Sequence, residues 1–521
     1  VIASCQSSTN TRDREAAAAE ARMREIGALT HRAWVRIEDG VAHCSDAAYE
    51  ALASRPALED VRPRLDRMRA DANLLLPRDQ QALVRELGPD TLDGWGALYQ
   101  ELSGRLEVPL NGETLSPGQA FNQTGAADRE VRLAAHSALA STWNSRRDTW
   151  AACLTHLTGL RQTLNDRRGV DPLADSLASA RMEPETLDAM DEAIRGFRPV
   201  LTEYLGLKAQ VMGLDGLHWV DVAAPVGEPG PPHDWETSSQ FVLEHLHNAQ
   251  PDLGDFTRKA LKGRWIEAED RPGKQGGGYC TWLPISKESR IFMTHGGRFR
   301  STVTLAHELG HAYHNEVLKD VAPARRAIPM TLAESASTFA ENVVRDAALA
   351  QANGPGQRLA LLDARLRAGV TFLMNIPARF FFEKHLYEMR REGVLNPDAL
   401  DEATVAHQKE AYSNALTTWS PTFWCSKMHF YFGSRSFYNF PYSFGYLFSA
   451  LVYEQLKDGS AESRAAYREL LIRTGHDRAE PLAMELLGLD LRDPATWRAG
   501  MEPLVQDLAD YKEAAIAYNP S

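Results

Sequence analysis

Apolar residues recur at spacings of three and four along most of the chain, the period of a helix with one buried face. Val61 to Leu75, Arg78 to Leu87, Asp128 to Arg147 and Trp150 to Asn165 follow it, and Glu15 to Ile26 is rich in the helix formers Ala, Glu and Arg, so the region from about Thr11 to Phe197 is expected to be helix after helix. Pairs such as Gly88-Pro89 and Pro117-Gly118 punctuate these segments. No fixed-period repeat is found, which argues against a solenoid. Short runs of β-branched and aromatic residues bounded by turn formers occur at Gly278 to Leu283 and Arg290 to His295, and predict two strands. Leu217 to Val226 reads as a short extended segment and Gly227 to Pro232 as a loop. From Ser301 onward the pattern is helical again. The predicted class is therefore mainly α with a small β-sheet. The division expected from this pattern is an N-terminal helical region, 1–195, and a region 196–521 carrying the sheet and the C-terminal helices.

Composition narrows the function classes. The 521 residues include 44% hydrophobic and 24% charged, ordinary for a soluble globular protein. A formal net charge of −13 argues against a nucleic-acid binder, which needs a basic face. The five cysteines, Cys5, Cys44, Cys153, Cys280 and Cys425, are scattered without a CxxC pair. That disfavours a disulfide framework or a thiolate metal site and fits a reducing, cytoplasmic setting. The longest uncharged run, between Arg435 and Glu454, contains Asn439, Pro441 and several tyrosines, which suits a buried wall better than lipid. Ile2-Ala3-Ser4-Cys5 resembles the end of a bacterial lipoprotein signal, without its apolar segment. A lipid anchor through Cys5 is the alternative location.

The sharpest motif is His307-Glu308-Leu309-Gly310-His311. A helix capped by Ser301 or Thr302 and running to about Lys319 places His307 and His311 one turn apart on one face. Both imidazoles can then reach one zinc ion, with Glu308 beside the metal as a proton acceptor. Val303, Leu305, Ala306, Leu309 and Ala312 surround the motif and suggest burial, where such polar groups need partners. A third ligand has to come from downstream. Val317 rules out one common spacing, and His314 lies too near His311 to be an ordinary third ligand. Glu334 and Glu341, on a second helix expected over 331–341, share a face at a spacing of seven. Thr331-x-x-Glu334 also matches a capping box, which would occupy Glu334 with the backbone.

His307-Glu-Leu-Gly-His-Ala-Tyr-His314, followed by Leu332-Ala-Glu-Ser-Ala-Ser-Thr-Phe-Ala-Glu341, resembles the oligoendopeptidase F branch of the thimet oligopeptidase-like (M3) metallopeptidases. The resemblance covers roughly residues 100–521 and includes Arg271 to Thr281, Asn165 to Gly169, Tyr204 to Leu214, and the aromatic elements from His429 to Tyr446. It implies Glu334 as the third ligand to one zinc ion per chain; Glu341 would then orient a ligand imidazole. It also implies two helical lobes around a deep substrate channel, with the sheet beside the zinc site. Glu308 would be the general base. His429 and Tyr438 would be oxyanion donors and Tyr442 a substrate contact, with Tyr431 and Tyr446 as alternatives among tyrosines that recur every few residues.

The Gly-rich segment lacks the Ser or Thr that a phosphate loop needs after Lys274, since Gln275 stands there. Gly276, Gly277 and Gly278 permit close backbone approach, so that an extended peptide could add as a strand beside Gly277, Gly278 and Tyr279. The implied activity is a zinc metallo-endopeptidase acting on short unfolded oligopeptides. The alternatives are a zinc hydrolase of a non-peptide amide and an inactive peptide-binding protein on the same scaffold. Side-chain preference and oligomeric state are not legible.

Overall fold

The computed structural model describes residues 1–518 apart from 11, 12, 272, 273, 276 and 434, and the side chains of only part of the Arg14–His43 helix. Helices dominate, as expected. Among the described residues β-structure is confined to a hairpin and a three-stranded sheet. The hairpin joins β1 (Val108–Leu110) to β2 (Glu113–Leu115) through Asn111 and Gly112, with φ of 53° and 82°. Asn-Gly is the pair that a tight hairpin turn with two left-handed residues demands, a signal overlooked in the sequence. The second sheet has the order β3 (Ile266–Glu267), β5 (Glu288–Phe292), β4 (Tyr279–Leu283). β3 runs parallel to β5, and β4 antiparallel to it with Tyr279 opposite Phe292. β4 falls where expected, whereas β5 starts two residues early and ends at Phe292.

The chain folds into two compact units interleaved along the sequence. Unit one comprises residues 1–72, 230–351 and 445–491, and unit two comprises 73–229, 352–444 and 492–521. Residues 195 and 196, where a division was expected, lie inside the helix Pro184–Val211 of unit two. Its buried stripe of Leu187, Met190, Ile194, Phe197, Leu201 and Leu205 runs through that point without a break, so the helix buries one continuous face.

In unit one the helix Phe299–Leu318 packs against β4, β5 and the helix Ser337–Ala350. Leu305, Ala306, Leu309 and Ala312 are fully buried. The helix starts before the expected cap. Ser301 Oγ accepts the Gly296 N–H at 3.0 Å, and Thr302 Oγ1 pairs with Ser238 Oγ at 2.8 Å.

In unit two Trp150, Leu154, Leu157, Leu386, Trp424, Phe430 and Tyr431 form one core, with Tyr99 stacked on Tyr431 at 3.7 Å between ring centres. The expected extended segment 217–226 is instead a 3₁₀ turn, Trp219–Ala223, with only Leu217 bridged to Leu416. The reason is Asp221. Its carboxylate is fully buried, accepts from Arg129 at 3.0 Å and Arg132 at 2.9 Å, and takes the His218 N–H at 3.1 Å. A buried charge held from three sides fixes the backbone more strongly than the β-propensity of its neighbours. A second buried set lies nearby in sequence. Lys208 Nζ donates to Asp363 at 2.9 Å and to the Ala224 carbonyl at 2.6 Å, and Tyr204 Oη donates to Asp363 at 2.6 Å.

Candidate metal centre and active site

His307 and His311 face one another from successive turns of the Phe299–Leu318 helix, with their Nε2 atoms 3.1 Å apart. Glu334 Oε2 lies 3.6 Å from His307 Nε2 and 3.4 Å from His311 Nε2. All three belong to unit one. Segment 331–341 is not the single helix expected. It breaks into Met330–Ala333 and Ser337–Ala350, and Glu334 caps the C-terminus of the first. A capping box needs its glutamate on the third helical position, so this placement removes that alternative for Glu334. Seven-residue spacing no longer puts Glu334 and Glu341 on one face.

The break has a packing cause. A Cβ on Gly310 would meet Ala336 O at 2.5 Å and Ser337 Cα at 2.6 Å, both backbone. Glycine inside the motif thus lets the chain at 336–337 lie directly on the helix, which carries Glu334 to the imidazoles. Glu334 is pinned there by Ser337 Oγ, 2.5 Å from Oε2, and by Ser449 Oγ, which donates to its carbonyl at 2.9 Å.

These three donors fit a divalent cation. Ligand atoms on a tetrahedral zinc ion are about 3.3–3.4 Å apart, and the observed separations of 3.1, 3.4 and 3.6 Å bracket that value. Glu341 serves differently. Its Oε1 is 2.7 Å from His307 Nδ1, and its Oε2 accepts from Arg345 at 2.8 Å. That carboxylate fixes the ring and leaves Nε2 as the inward atom. His314 points elsewhere, with Nε2 bonded to Thr474 Oγ1 at 2.8 Å and to the Leu471 carbonyl at 3.1 Å.

The electrostatics follow from crowding. Burial works against the His307 cation, but the Glu341 hydrogen bond and charge outweigh it and raise its pKa to about 9. Burial dominates at His311 and pushes it down to about 4, leaving a lone pair. For Glu341 burial is outweighed by His307 and Arg345, and the pKa falls to about 2. Glu308 is 5% exposed, and burial, reinforced by Glu334 and Glu341 against the opposing pull of His307, raises its pKa to about 7. Its Oε2 has no hydrogen-bond partner among the described residues.

The sheet meets this carboxylate. A Cβ on Gly278 would stand 3.1 Å from Glu308 Oε1, and Gly277 holds φ +95°, so neither position suits a side chain. Gly273 and Gly276 lie outside the described residues. β4 is an edge strand, with β5 as its one strand partner among the described residues. The helix Ile2–Thr9 reaches the same segment, where Gln275 N–H donates to the Ser8 carbonyl at 2.9 Å.

The other expected residues belong to unit two. His429 sits on the 3₁₀ turn Met428–Tyr431, 3.4 Å from Tyr442 Oη through Nε2 and 5.7 Å from the Tyr438 ring by centres. Burial, with the charges of Arg379 and Lys427, drives its pKa down to about 4. Phe437, just before Tyr438, is left-handed at φ 51° and donates its N–H to buried Glu383 at 2.7 Å. Arg161 holds the same loop by donating to the carbonyls of Phe432 and, at 2.7 Å, Arg435. Neither Arg161 nor Glu383 is marked by a motif, and only the fold brings them to this loop. Tyr431 is a core residue, 1% exposed, with its hydroxyl on the Trp424 carbonyl. Tyr446 falls in unit one.

A His-His-Glu donor set, with a buried glutamate beside it on a mainly helical scaffold, is a group of side chains that could hold a divalent cation. The model of Peptidase family M3 matches residues 236–503, just over half of the chain, and the chain belongs to that family. The oligoendopeptidase F homolog of Lactococcus lactis subsp. lactis (strain IL1403) is 27% identical over 367 residues, covering 68% of this chain and 60% of that protein. The chain thus spans about 60% of the length of the curated relatives it matches. A Chlamydophila abortus protein shares the fold at a TM-score of 0.82 and 18% identity, over 98% of this chain and 87% of that one. Oligoendopeptidase-F from Enterococcus faecium does so at 0.75 and 19%, over 98% and 89%. No helix among the described residues is long and apolar enough to cross a membrane.

Proposed function

We propose that the chain is a zinc metallo-endopeptidase that hydrolyses short, unfolded oligopeptides. The observation that carries this reading is the convergence of His307, His311 and Glu334 beside the unpartnered Oε2 of Glu308. These three residues would hold one zinc ion. When bound, zinc supplies Lewis acidity, which lowers the pKa of water and polarises a carbonyl oxygen. Glu308 accepts at Oε2 the proton released as water attacks the scissile carbonyl, and passes it to the departing amine. Glu341 keeps the His307 ring oriented through Nδ1.

The substrate backbone pairs with the edge strand β4 at Gly277, Gly278 and Tyr279. His429 and Tyr438 donate to the developing oxyanion, and Tyr442 contacts the substrate. A depressed pKa keeps the His429 imidazole neutral, so it acts through an N–H.

A quenched-peptide assay tests the proposal. Oligopeptides should be cleaved and folded proteins spared, with activity lost to a chelator and regained with zinc. Chelator-insensitive cleavage, or zinc-loaded protein that cleaves no peptide of a broad library, would overturn it.

A further inference from the structure

Arg379 and Lys427, both in unit two, have no carboxylate partner among the described residues. Arg379 lies on the helix Ile376–Glu392, and Lys427 sits two residues before His429. Both face one aromatic ring, with Lys427 Nζ 4.2 Å and Arg379 Cζ 5.2 Å from the centre of Phe423. Lys427 Nζ also stands 5.8 Å from the ring of Phe121. Arg379 Nε is buried without a hydrogen-bond partner among the described residues. By contrast Arg132 and Lys208, the fully buried cations of the same unit, each reach a carboxylate at 2.9 Å.

The charges around the pair tell the same story. Burial pushes Lys427 down to about 7, with Arg379 as the charge acting on it. Burial pushes Arg379 down to about 10, opposed by Tyr412 and Tyr442. Among the described residues no Asp or Glu acts on either residue, or on His429 beside them. Two cations beside one ring repel each other, and an anion bound between them relieves that repulsion and keeps both charged. Both side chains are only half-buried, so an anion can arrive from solvent.

We propose that Arg379 and Lys427 form a carboxylate-binding subsite that receives a terminal or side-chain carboxylate of a peptide substrate. The guanidinium supplies a planar fork for two carboxylate oxygens, and the ammonium a point charge beside it. This rests on the peptidase reading and deepens it.

The test uses peptides of one sequence ending in a free carboxylate or an amide, and a second pair with Glu or Gln inside the sequence. KM is measured for cleavage, and Kd for the same peptides on Glu308→Gln protein. The expected result is a preference for the carboxylate form of roughly ten- to a hundredfold in KM and Kd in one pair. That pair names the source, terminal or side-chain. Arg379→Gln and Lys427→Met should each erase most of the preference. Equal KM and Kd across both pairs on otherwise unsubstituted protein would overturn the proposal, as would a preference that survives both substitutions. The peptide-pair comparison needs no substitution at 379 or 427, so an unfolded variant leaves it decisive. If no peptide is cleaved the peptidase reading fails, and the Kd ratio still decides the subsite.

Discussion

Gly310 offers the most direct handle on how the fold builds the metal site. Replacing it with alanine puts a methyl carbon 2.5 Å from Ala336 O and 2.6 Å from Ser337 Cα. Both are backbone atoms and cannot rotate away. Ordinary contact begins near 3.4 Å, so the helix and the 336–337 backbone must part by about 1 Å. Glu334 is two residues from that contact and moves with it. Metal sites tolerate about 0.2 Å in ligand distance, so a displacement of this size removes most of the third ligand's contribution. Overpacking itself costs about 1–3 kcal/mol. The Gly310→Ala protein should therefore melt lower and bind zinc at least tenfold more weakly. A competing chelator dye gives the affinity, and circular dichroism confirms that the helices persist. Unchanged zinc affinity and an unchanged melting temperature would refute the packing account.

Other outcomes follow from the same geometry. Glu341→Gln should weaken zinc binding by about 10–100-fold by releasing the His307 ring, measured by the same competition. Lys208→Met should destabilise the protein by about 3–5 kcal/mol, because Asp363 is left buried without its cation; urea unfolding reads this. Burial opposes the Asp221 charge, but hydrogen bonds from Arg129 and Arg132 outweigh it and lower its pKa. Its stabilisation is therefore present above the unfolded Asp value of about 3.9 and is lost as pH falls through the lower folded value. Asp221→Asn should melt lower than the parent at neutral pH, with the gap closing as the pH falls below the unfolded Asp value of about 3.9; a gap of constant size would contradict this.

The sequence disclosed the site unevenly, for physical reasons. His307, Glu308 and His311 are legible because a helix converts a spacing of four into one face. Glu334 is harder, because its position depends on a helix break caused by Gly310 meeting a backbone 26 residues away. A periodic pattern records no such contact. Leu217 to Val226 looked extended from its apolar residues, yet the partners of Asp221 come from a helix about 90 residues earlier. Among the tyrosines, sequence could not separate Tyr431 from Tyr438. Burial under Tyr99 does so. Arg379 and Lys427 form no motif at all, and their shared trait, the lack of a counter-charge, exists only once the chain is folded. The hairpin at Asn111-Gly112, by contrast, was written locally in the sequence.

Under the proposed function Glu308 moves the proton beside a zinc ion held by His307, His311 and Glu334. The measurement that tests it most directly is zinc content and peptide turnover of Glu308→Gln, taken on the same preparation. The account predicts one zinc per chain with turnover reduced by at least about a hundredfold. Zinc-loaded Glu308→Gln protein that cleaves peptide at near the parental rate would contradict it.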